Sequence, residues 1–534
     1  MTLSPARSSV CPVVDPPGAS TSGPEVSGAI TRTASAGDSA GRRSDRRLLP
    51  AARPDAVRSC PRWVPSLLAG VFFALYATVS VTRHLHLRSS GYDLGIFEQA
   101  VRAYAQLKPP VAPLKGDGYN LLGDHFHPVL MLLAPFYRLF PSPLTLVVAQ
   151  AALMAVSVIP VTRVAIRAAG PWFGVAVGVA YGLSWGIQQA VAFDFHEIAF
   201  AVPLLAFSLE GLSARRWGTA VAWAFPLVLV KEDLPATVAA IGIYVMLSGR
   251  RRLGAGVTTA AAVAGLFIVL VLIPYFNIHG HYDYGHLAAG TGGDPVTRLL
   301  LPPVKLGTVL LVLAPTAFLA LRSPLAWLAV PTLGWRFWSV NPHYWGIDYH
   351  YSAVLMPIVF IALSDAMVRL DGGRLLRSLP VSRAAVAGVT VVGVALATLP
   401  ALPAWELTGA AWRSSPWQGA AGEVLAAVPD GARIGVTNNL APQLTGRAEV
   451  LQFPSALTAC PRPEWLLVSD PDRGGMPVGV DEQTHLPAIP AAGYGLVLER
   501  SGIELFRRQA DTWWRGDQFG CPPTRSQGVL SSRF

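Results

Sequence analysis

The sequence predicts a mostly α-helical protein, a polytopic transmembrane bundle of about eleven spans followed by a small exterior α/β domain. Of its 534 residues, 52% are hydrophobic and only 14% are charged, whereas soluble domains carry about 25% charged residues. Apolar stretches alternate with polar loops as far as residue 402. After residue 403 these stretches stop, and short runs of strand-like composition replace them.

These changes in composition divide the chain into four predicted segments. Residues 1–60 are rich in Ser, Pro, Gly and Arg and predict a disordered cytoplasmic tail. Residues 61–404 form the predicted transmembrane helical domain, which includes a long first exterior loop at 83–142. Residues 405–510 form the predicted exterior α/β domain, and 511–534 are a terminal tail.

Each predicted span is an apolar run bounded by polar or turn-forming residues. Several runs are shorter than the roughly 20 residues that a crossing helix needs, so we expect broken helices or helices extended by polar neighbours. The first run, 64–82, is not followed by a small-residue cleavage pattern and is predicted to be retained. The other predicted spans are about 143–167, 171–191, 197–213, 217–230, 234–248, 255–276, 304–321, 324–340, 350–368 and 384–402.

The basic residues indicate the orientation of this bundle. The formal net charge of the chain is +10, but the arginines lie in short clusters between apolar runs. This arrangement is typical of membrane orientation, so we predict no nucleic-acid partner. The clusters mark alternate loops, and the positive-inside rule places these loops and the N-terminus in the cytoplasm. An odd number of spans then places the C-terminal domain outside the cell membrane. The clusters are Arg163/Arg167, Arg215/Arg216, Arg250–Arg252, Arg322 and Arg369/Arg374/Arg377/Arg383.

The exterior segments carry further local predictions. Apolar residues at helical spacing predict an amphipathic interfacial helix at 94–107, and the apolar segment 127–140 predicts a re-entrant or interfacial helix. Cys460 and Cys521 are both predicted to be exterior, where they either form a disulfide or stay free. In the α/β domain we predict a helix at 423–428 and strands at 433–437, 465–469, 495–499 and 503–506.

Nearly every unusual polar cluster falls at the exterior helix ends. Charged groups near a bilayer are costly, so a one-sided gathering of acids and histidines indicates a functional site. The clusters are Asp93, Asp124–His127, Asp194–Glu197, Lys231–Asp233, His279–Asp283 and His343–His350.

Asp93 follows the first span and is predicted to face the cavity that the bundle encloses. Its carboxylate could take a proton from an acceptor hydroxyl or bind a divalent cation such as Mg²⁺ or Mn²⁺. The structural alternative is an N-cap of the 94–107 helix, because Asp is a preferred capping residue.

Two of the clusters combine acids with histidines. In an extended segment His125 and His127 share one face, with Asp124 opposite, and the group could bind metal or simply bond to backbone. Asp194, His196 and Glu197 join two spans with almost no loop between them. Three ionisable groups at so tight a membrane turn favour a functional role.

The remaining candidates are cationic or aromatic in character. Lys231, beside Glu232 and Asp233, could meet a phosphate or instead pair with Glu232 or Asp194. Arg336 lies near the outer end of an apolar segment, where it could bind an anion or reach lipid headgroups. An aromatic belt explains the Trp and Tyr residues near His343 and His350 but explains the two histidines less well.

Four exterior motifs and one C-terminal stretch resemble a bacterial polytopic membrane family, catalogued as domain of unknown function 2079. The likeness spans roughly 64–510. The motifs are Tyr92–Gln99, Asp124–Pro128, Phe193–Glu197 and Lys231–Asp233, and the stretch runs from Pro429 to Arg447.

The layout of this family is similar to that of the GT-C glycosyltransferase superfamily. The resemblance implies a donor sugar carried on a polyprenyl phosphate and an acidic residue of the first loop acting at the acceptor. It matches Asp93 to that residue and makes Asp124, Asp194 and Glu197 candidates for a second acid. The adjacent acidic pair expected in the first loop is missing here, which leaves the need for a metal open.

The preferred hypothesis is a glycosyltransferase-like enzyme that uses a lipid-linked donor on the exterior face of the cell membrane. Asp93 acts as the base, with Asp194 and Glu197 as further catalytic candidates, and Lys231 and Arg336 neutralise the departing lipid phosphate. The other polar residues position the acceptor or a cation. A multi-pass transporter and a non-catalytic metal-binding envelope factor are the alternatives. The positioning residues are Asp124, His125, His127, His196, Glu232, Asp233, His343 and His350.

Overall fold

The computed structural model describes residues 61–285, 294–371, 382–469 and 479–509. The predicted tails at 1–60 and 511–534, and with them Cys521, lie outside these residues. Within the described ranges the chain is mostly helical and carries one five-stranded sheet near its C-terminal end. The helices are α1 (Val64–Leu85), α2 (Ile96–Ala105), α3 (Ala134–Leu139), α4 (Pro143–Ala169), α5 (Pro171–Gly182), α6 (Trp185–Ala192), α7 (Ile198–Ser213), α8 (Trp217–Ala224), α9 (Leu234–Leu247), α10 (Arg251–Phe267), α11 (Ile273–Phe276), α12 (Pro295–Leu300), α13 (Val304–Leu313), α14 (Val330–Trp338), α15 (Leu355–Asp371), α16 (Arg383–Thr398), α17 (Pro416–Ala426), α18 (Gly479–His485) and α19 (Ala488–Ala491).

Among the described residues, four helices are long and apolar enough to cross a membrane: Val64–Leu85, Pro143–Ala169, Arg251–Phe276 and Arg383–Ala401. The other predicted spans correspond to shorter or interrupted helices. The predicted span 171–191, for example, is divided between α5 and α6, because the chain leaves the helix after Gly182. Length and composition therefore support a membrane protein with several apolar helices.

Helix α15 forms the centre of the helical bundle. Its residues from Leu355 to Leu363 include only buried hydrophobic side chains and one proline, and a helix that is apolar on all sides is stable only when surrounded. It packs against α4 and α7. Its buried acid, Asp365, accepts hydrogen bonds from Ser323 and Arg369, so the buried charge is compensated.

The first loop contains two short helical segments, as predicted. A π-helical turn at Gly91–Gly95 leads into α2, whose first six residues, 96–101, are all buried. The segment Pro128–Leu139 is apolar and helical, but much of it points away from the protein. Outward apolar side chains of this kind fit a lipid contact, which agrees with an interfacial helix. They are Met131, Leu132, Phe136 and Leu139.

The sheet comprises β1 (Arg433–Val436), β2 (Glu449–Gln452), β3 (Trp465–Ser469), β4 (Tyr494–Arg500) and β5 (Ile503–Arg508) in the order β2-β1-β3-β5-β4. β1 lies parallel to β2 and β3, whereas β5 lies antiparallel to β3 and β4. Four of these strands were predicted; β2 was missed because its Glu449-Val450-Leu451-Gln452 run is short and has only two apolar residues. Cys460 forms a disulfide.

The α/β region packs directly on the first loop. Arg102 on α2 donates to the carbonyl oxygens of Thr445 and Ala448 at 2.8 and 3.0 Å, and Gln99 donates to that of Val450 at 2.8 Å. These bonds join residues more than 340 positions apart in sequence. The loop that carries Asp93 is therefore held by the C-terminal region.

Glu98, buried at this contact, predicts a pH-dependent stability. Burial raises its pKa from 4.5 to about 7, although hydrogen bonds from Thr445 and Tyr137 oppose that rise. A raised folded-state pKa gives stability that is complete below pH 4.5 and is lost as the pH rises through about 7. We expect Glu98→Gln to flatten this decline. The free energy of unfolding of the variant minus that of wild type should be about 1–3 kcal/mol larger at pH 8 than at pH 5.

Thermal unfolding of the purified protein at pH 5 and pH 8 measures this difference. Glu423→Gln is the matched control, because the Glu423 side chain is 68% exposed and pairs only with the exposed Arg500. A Glu98→Gln variant with the wild-type pH dependence would show that Glu98 is ionised in the folded protein at both pH values.

Candidate functional site

One set of helix ends and the first loop enclose a cavity of about 460 Å³. This volume lies within the range of small-molecule sites. Residues distant in sequence meet at this cavity. They come from α2, from the 3-10 turns around Leu121 and from the short segments before α7 and α9. Acids, lysines, histidines and aromatic rings line it: Tyr92, Asp93, Phe97, Lys115, Asp124, His125, His127, His196, Glu197, Lys231, Glu232, Asp233, Tyr282, Tyr284, Trp335, Trp338, Tyr344, His350 and Tyr351, with Ile96, Leu121, Val269 and Ser339.

Asp93 and His196 form a carboxylate–imidazole pair in the cavity wall. The Oδ1 atom of Asp93 lies 3.0 Å from Nε2 of His196. Asp93 lies inside the π-helical turn, and the N-cap positions of this turn and of α2 are Ser90 and Gly95, so Asp93 is not the N-cap residue that the structural alternative proposed. An imidazole at this position can orient the carboxylate or exchange a proton with it.

Asn438 of the α/β region positions the backbone beside Asp93. Its carbonyl oxygen accepts from the N–H of Gly91 and its side-chain oxygen accepts from the N–H of Tyr92, both at 2.8 Å. A Cβ at Gly91 would lie 2.7 Å from Cβ of Ala441, so only glycine allows this close approach.

Asp194 lies directly behind the Asp93–His196 pair and does not line the cavity. Its Oδ2 atom accepts from the N–H of Ser90 at 2.7 Å, and its backbone is held in the left-handed region at φ 47°. Burial, with the nearby Asp93 carboxylate as the second cause, raises the pKa of Asp194 to about 8. Asp194 is therefore mostly protonated near neutral pH. Its left-handed backbone also stores strain, and strain of this kind in non-Gly residues often accompanies function.

Glu197 and Lys231 form a buried ion pair on the opposite wall. Nζ of Lys231 lies 2.7 Å from Oε1 of Glu197, whose side chain is fully buried. Burial alone would raise the pKa of Glu197, but Lys231 and nearby histidines outweigh it and lower the pKa to about 2. Lys231 thus has an internal partner, as the structural alternative proposed, but that partner is neither Glu232 nor Asp194.

Two further charged pairs complete the wall. Nδ1 of His125 lies 2.5 Å from Oε1 of Glu232, and Nζ of Lys115 lies 3.2 Å from Oδ1 of Asp124. Burial would raise the pKa of Asp124, but His125 and Lys115 lower it. Burial raises the pKa of the remaining acid, Asp233, to about 6.

Asp124, His125 and His127 all line the cavity. An extended segment would have put Asp124 on the face opposite the two histidines, so that prediction was wrong. The chain is not extended here, because 3-10 turns lie on both sides of these residues. The tyrosines of the 282–284 loop support them: Tyr282 donates to Glu232 at 3.1 Å and Tyr284 to Asp124 at 3.0 Å.

Several buried polar atoms around the cavity have no hydrogen-bond partner within the described part of the chain. Buried polar groups are almost always satisfied, so a cluster of atoms without protein partners indicates a place where water or a polar ligand binds. Hydrogen-bond donors and acceptors are both present, a combination that suits hydroxyl groups. The atoms are both ring nitrogens of His127, Nδ1 of His196 and of His350, Oε2 of Glu197 and Oδ1 of Asp233.

Besides Asp194, two further predicted site residues, Arg336 and His343, do not line this cavity. Arg336 is fully buried and donates to the carbonyl oxygens of Tyr344 at 2.8 Å and Gly346 at 2.6 Å. It shapes the loop that carries the aromatic wall, because backbone carbonyls already occupy its donors. His343 faces Tyr349 instead, with 3.5 Å between the tyrosine oxygen and Nδ1.

Sequence reasoning missed Lys115 and most of the aromatic wall as site residues. Lys115 carried one usable signal, because the chain has only four lysines among 42 basic residues and two of them line this cavity. The aromatic residues carried none, since interfacial Tyr and Trp are common in membrane proteins without a binding role.

The lining residues do not fit a metal site. Among the residues that the structure describes, no three His, Cys, Asp or Glu side chains converge in a way that could hold a metal ion. Asp93, Asp124, Glu197 and Glu232 instead face a histidine or a lysine each. The described residues therefore offer no ligand set for the Mg²⁺ or Mn²⁺ ion whose need the sequence left open.

Comparison with known proteins gives one family and one shared fold. A family model described as predicted membrane protein, DUF2079, matches residues 83–505. The structure of ArnT from Cupriavidus metallidurans bound to undecaprenyl phosphate is similar at a TM-score of 0.51 and 15% identity, covering 84% of this chain and 98% of that chain. The apo structure of ArnT from the same organism gives a TM-score of 0.49 and 14% identity over the same shares of the two chains. No curated protein matches the chain.

Proposed function

The chain belongs to the DUF2079 family of predicted membrane proteins, and we propose that it is a glycosyltransferase-like enzyme that uses a polyprenyl-phosphate-linked sugar donor. One observation carries the proposal. A single cavity beside the apolar helices joins the Asp93–His196 pair, the cation of Lys231 and a set of buried polar atoms without partners. The first provides a base, the second an anion site, and the third a polar surface for a sugar.

The proposed enzyme crosses the cell membrane about eleven times, with the N-terminus in the cytoplasm and the α/β domain, from about residue 405 to 510, outside. The shorter helices cross as broken or tilted spans. The arginine clusters of alternate loops support this orientation. The cavity then opens on the exterior face.

The proposed reaction is a displacement at the anomeric carbon of the sugar. Asp93 accepts the proton of an acceptor hydroxyl as that oxygen bonds to the anomeric carbon. The bond between this carbon and the phosphate oxygen breaks, and its electron pair leaves with the polyprenyl phosphate. Lys231 offsets the negative charge that develops on the departing phosphate, since only one of its three N–H donors is used by Glu197.

The cavity lining supports a sugar as the transferred group. Sugar hydroxyls need both donors and acceptors, and the unsatisfied imidazole and carboxylate atoms supply both. Tyr and Trp rings such as Trp335 and Tyr351 offer apolar faces against which a pyranose ring can pack. The ArnT structure that shares the fold holds undecaprenyl phosphate, which supports a lipid phosphate as the carrier.

The test uses the full chain purified into nanodiscs. We expect it to bind undecaprenyl phosphate and to release this lipid from an undecaprenyl-phosphate sugar when acceptor is present. His127→Ala should weaken binding of the donor at least tenfold. His485→Ala is the control and should not weaken it, because the His485 side chain, in α18, is 45% exposed and does not line the cavity. Absence of lipid binding together with proton-coupled solute uptake in liposomes would replace the enzyme with a transporter.

A further inference from the structure

A second cavity, of about 710 Å³, lies behind the wall of the first. Phe193 and Tyr349 line it, and the ring of Phe193 stacks on His196 and His350, which line the first cavity. The two cavities are therefore separated by little more than two layers of rings. The second cavity has a different character, because its charged groups are mostly arginines.

Two of these arginines are fixed in place by one acid. Glu406 accepts hydrogen bonds from Arg83 at 2.9 and 3.2 Å and from Arg88 at 2.6 and 3.2 Å. Arg83 also donates through Nε to the carbonyl oxygen of Ala192 at 2.9 Å. A guanidinium held in this way loses little further entropy when it binds a ligand.

Donors remain available at this cavity. Nη2 of Arg83 and Nε of Arg88 have no acceptor in the described residues, and the exposed Arg413 has no ion pair there. The arginines outnumber the acids of the lining, Glu406 and Asp348, by one. We call the group formed by Arg83, Arg88, Arg413 and Glu406 the arginine cluster.

The wall between the two cavities is held in strained backbone. Asp194 has φ 47° and Tyr349 has φ 65°, values that cost energy for residues with a Cβ. Both residues adjoin the Phe193 ring, Asp194 along the chain and Tyr349 with 4.5 Å between ring centroids. Strain at this point fits a surface shaped for ligands on both sides.

We infer that the arginine cluster binds a phosphate ester. The planar fork of a guanidinium matches phosphate oxygens, and a doubly charged oxyanion can use donors from three arginines while Glu406 keeps its own bonds. The aromatic rings of Tyr349 and Trp405 on the same lining can pack against the organic part of the ester. Assigning this ester as the acceptor rests on the proposed function; the binding site itself does not.

The phosphate ester has two plausible sources with the same chemistry. The cavity is lined by Pro400, at the end of the apolar segment Arg383–Ala401, and by Pro403 just beyond it, so a lipid headgroup could reach it from the membrane surface. A water-soluble phosphate ester could enter from outside.

The experiment measures binding of glycerol 3-phosphate to the full chain in phosphatidylcholine nanodiscs. We expect Arg413→Ala and Arg88→Ala each to weaken binding about tenfold or more, and Arg500→Ala, an exposed arginine of β4, to leave it within twofold. Adding phosphatidic acid to the nanodiscs, a lipid that carries a phosphate monoester as glycerol 3-phosphate does, should compete with glycerol 3-phosphate if the source is a lipid and should have no effect if it is soluble. Either result supports a phosphate site.

Wild-type protein that binds neither probe, or variants that bind both as wild type does, would overturn the inference. Undecaprenyl phosphate binding is measured on the same samples. Loss of both ligands in Arg413→Ala would indicate general damage and would also overturn it. If undecaprenyl phosphate does not bind but glycerol 3-phosphate binds through the arginines, the proposed function fails while this site stands.

Discussion

Replacing Lys231 with methionine is expected to weaken the binding of undecaprenyl phosphate at least a hundredfold and to destabilise the protein by about 3–5 kcal/mol. The stability loss follows because Glu197, which has a fully buried side chain, would keep its charge without its partner at 2.7 Å. The binding loss follows because Lys231 is the only lysine of the cavity that is placed beside Glu197 and the histidines. Denaturant or thermal unfolding and equilibrium lipid binding measure the two effects.

A double variant separates these two roles of Lys231. In Lys231→Met with Glu197→Gln the buried charge is removed along with its partner, so most of the lost stability should return, while the lipid should still bind weakly. If the double variant regains both stability and binding, Lys231 is a structural ion-pair partner and not a phosphate ligand. Lys108→Met is the control, since Lys108 is exposed and does not line the cavity.

The sequence was sufficient to place most of the charged site residues on one side of the bundle. Charge at the end of an apolar helix is costly, so motifs such as Asp124–His127 and Lys231–Asp233 stand out from their surroundings. It was not sufficient to pair them. Lys231 contacts Glu197, 34 positions away, rather than its neighbour Glu232, because the turn before α7 brings Glu197 across the cavity.

The role of the α/β region could not be predicted either. Its strands were visible from composition, since β-branched and apolar runs between turns are local signals. Its contact with the backbone beside Asp93 depends on Asn438, which is 346 positions from Tyr92, and nothing in the Pro429–Arg447 stretch indicated that pairing. Arg336 shows the same limit, because a buried guanidinium satisfied by carbonyls and one that awaits an anion look alike in sequence.

Asp93→Asn is expected to reduce the turnover of the lipid-linked sugar by about 10²–10⁴-fold while leaving its binding nearly intact. The amide keeps an oxygen that can lie near His196 but cannot accept the proton of the acceptor hydroxyl. Asp430→Asn is the matched control, because the Asp430 side chain is 82% exposed. A variant with full turnover would remove Asp93 from the chemistry.

The same substitution should also change Asp194. The carboxylate of Asp93 is the second cause, after burial, of the raised pKa of Asp194, which is about 8. Removing that charge should lower the pKa while burial keeps it above its ordinary value. The infrared band of the protonated Asp194 carboxyl should therefore disappear at lower pH in Asp93→Asn than in wild type. An unchanged titration would mean that the two carboxyls do not sense each other and that burial alone raises the pKa of Asp194.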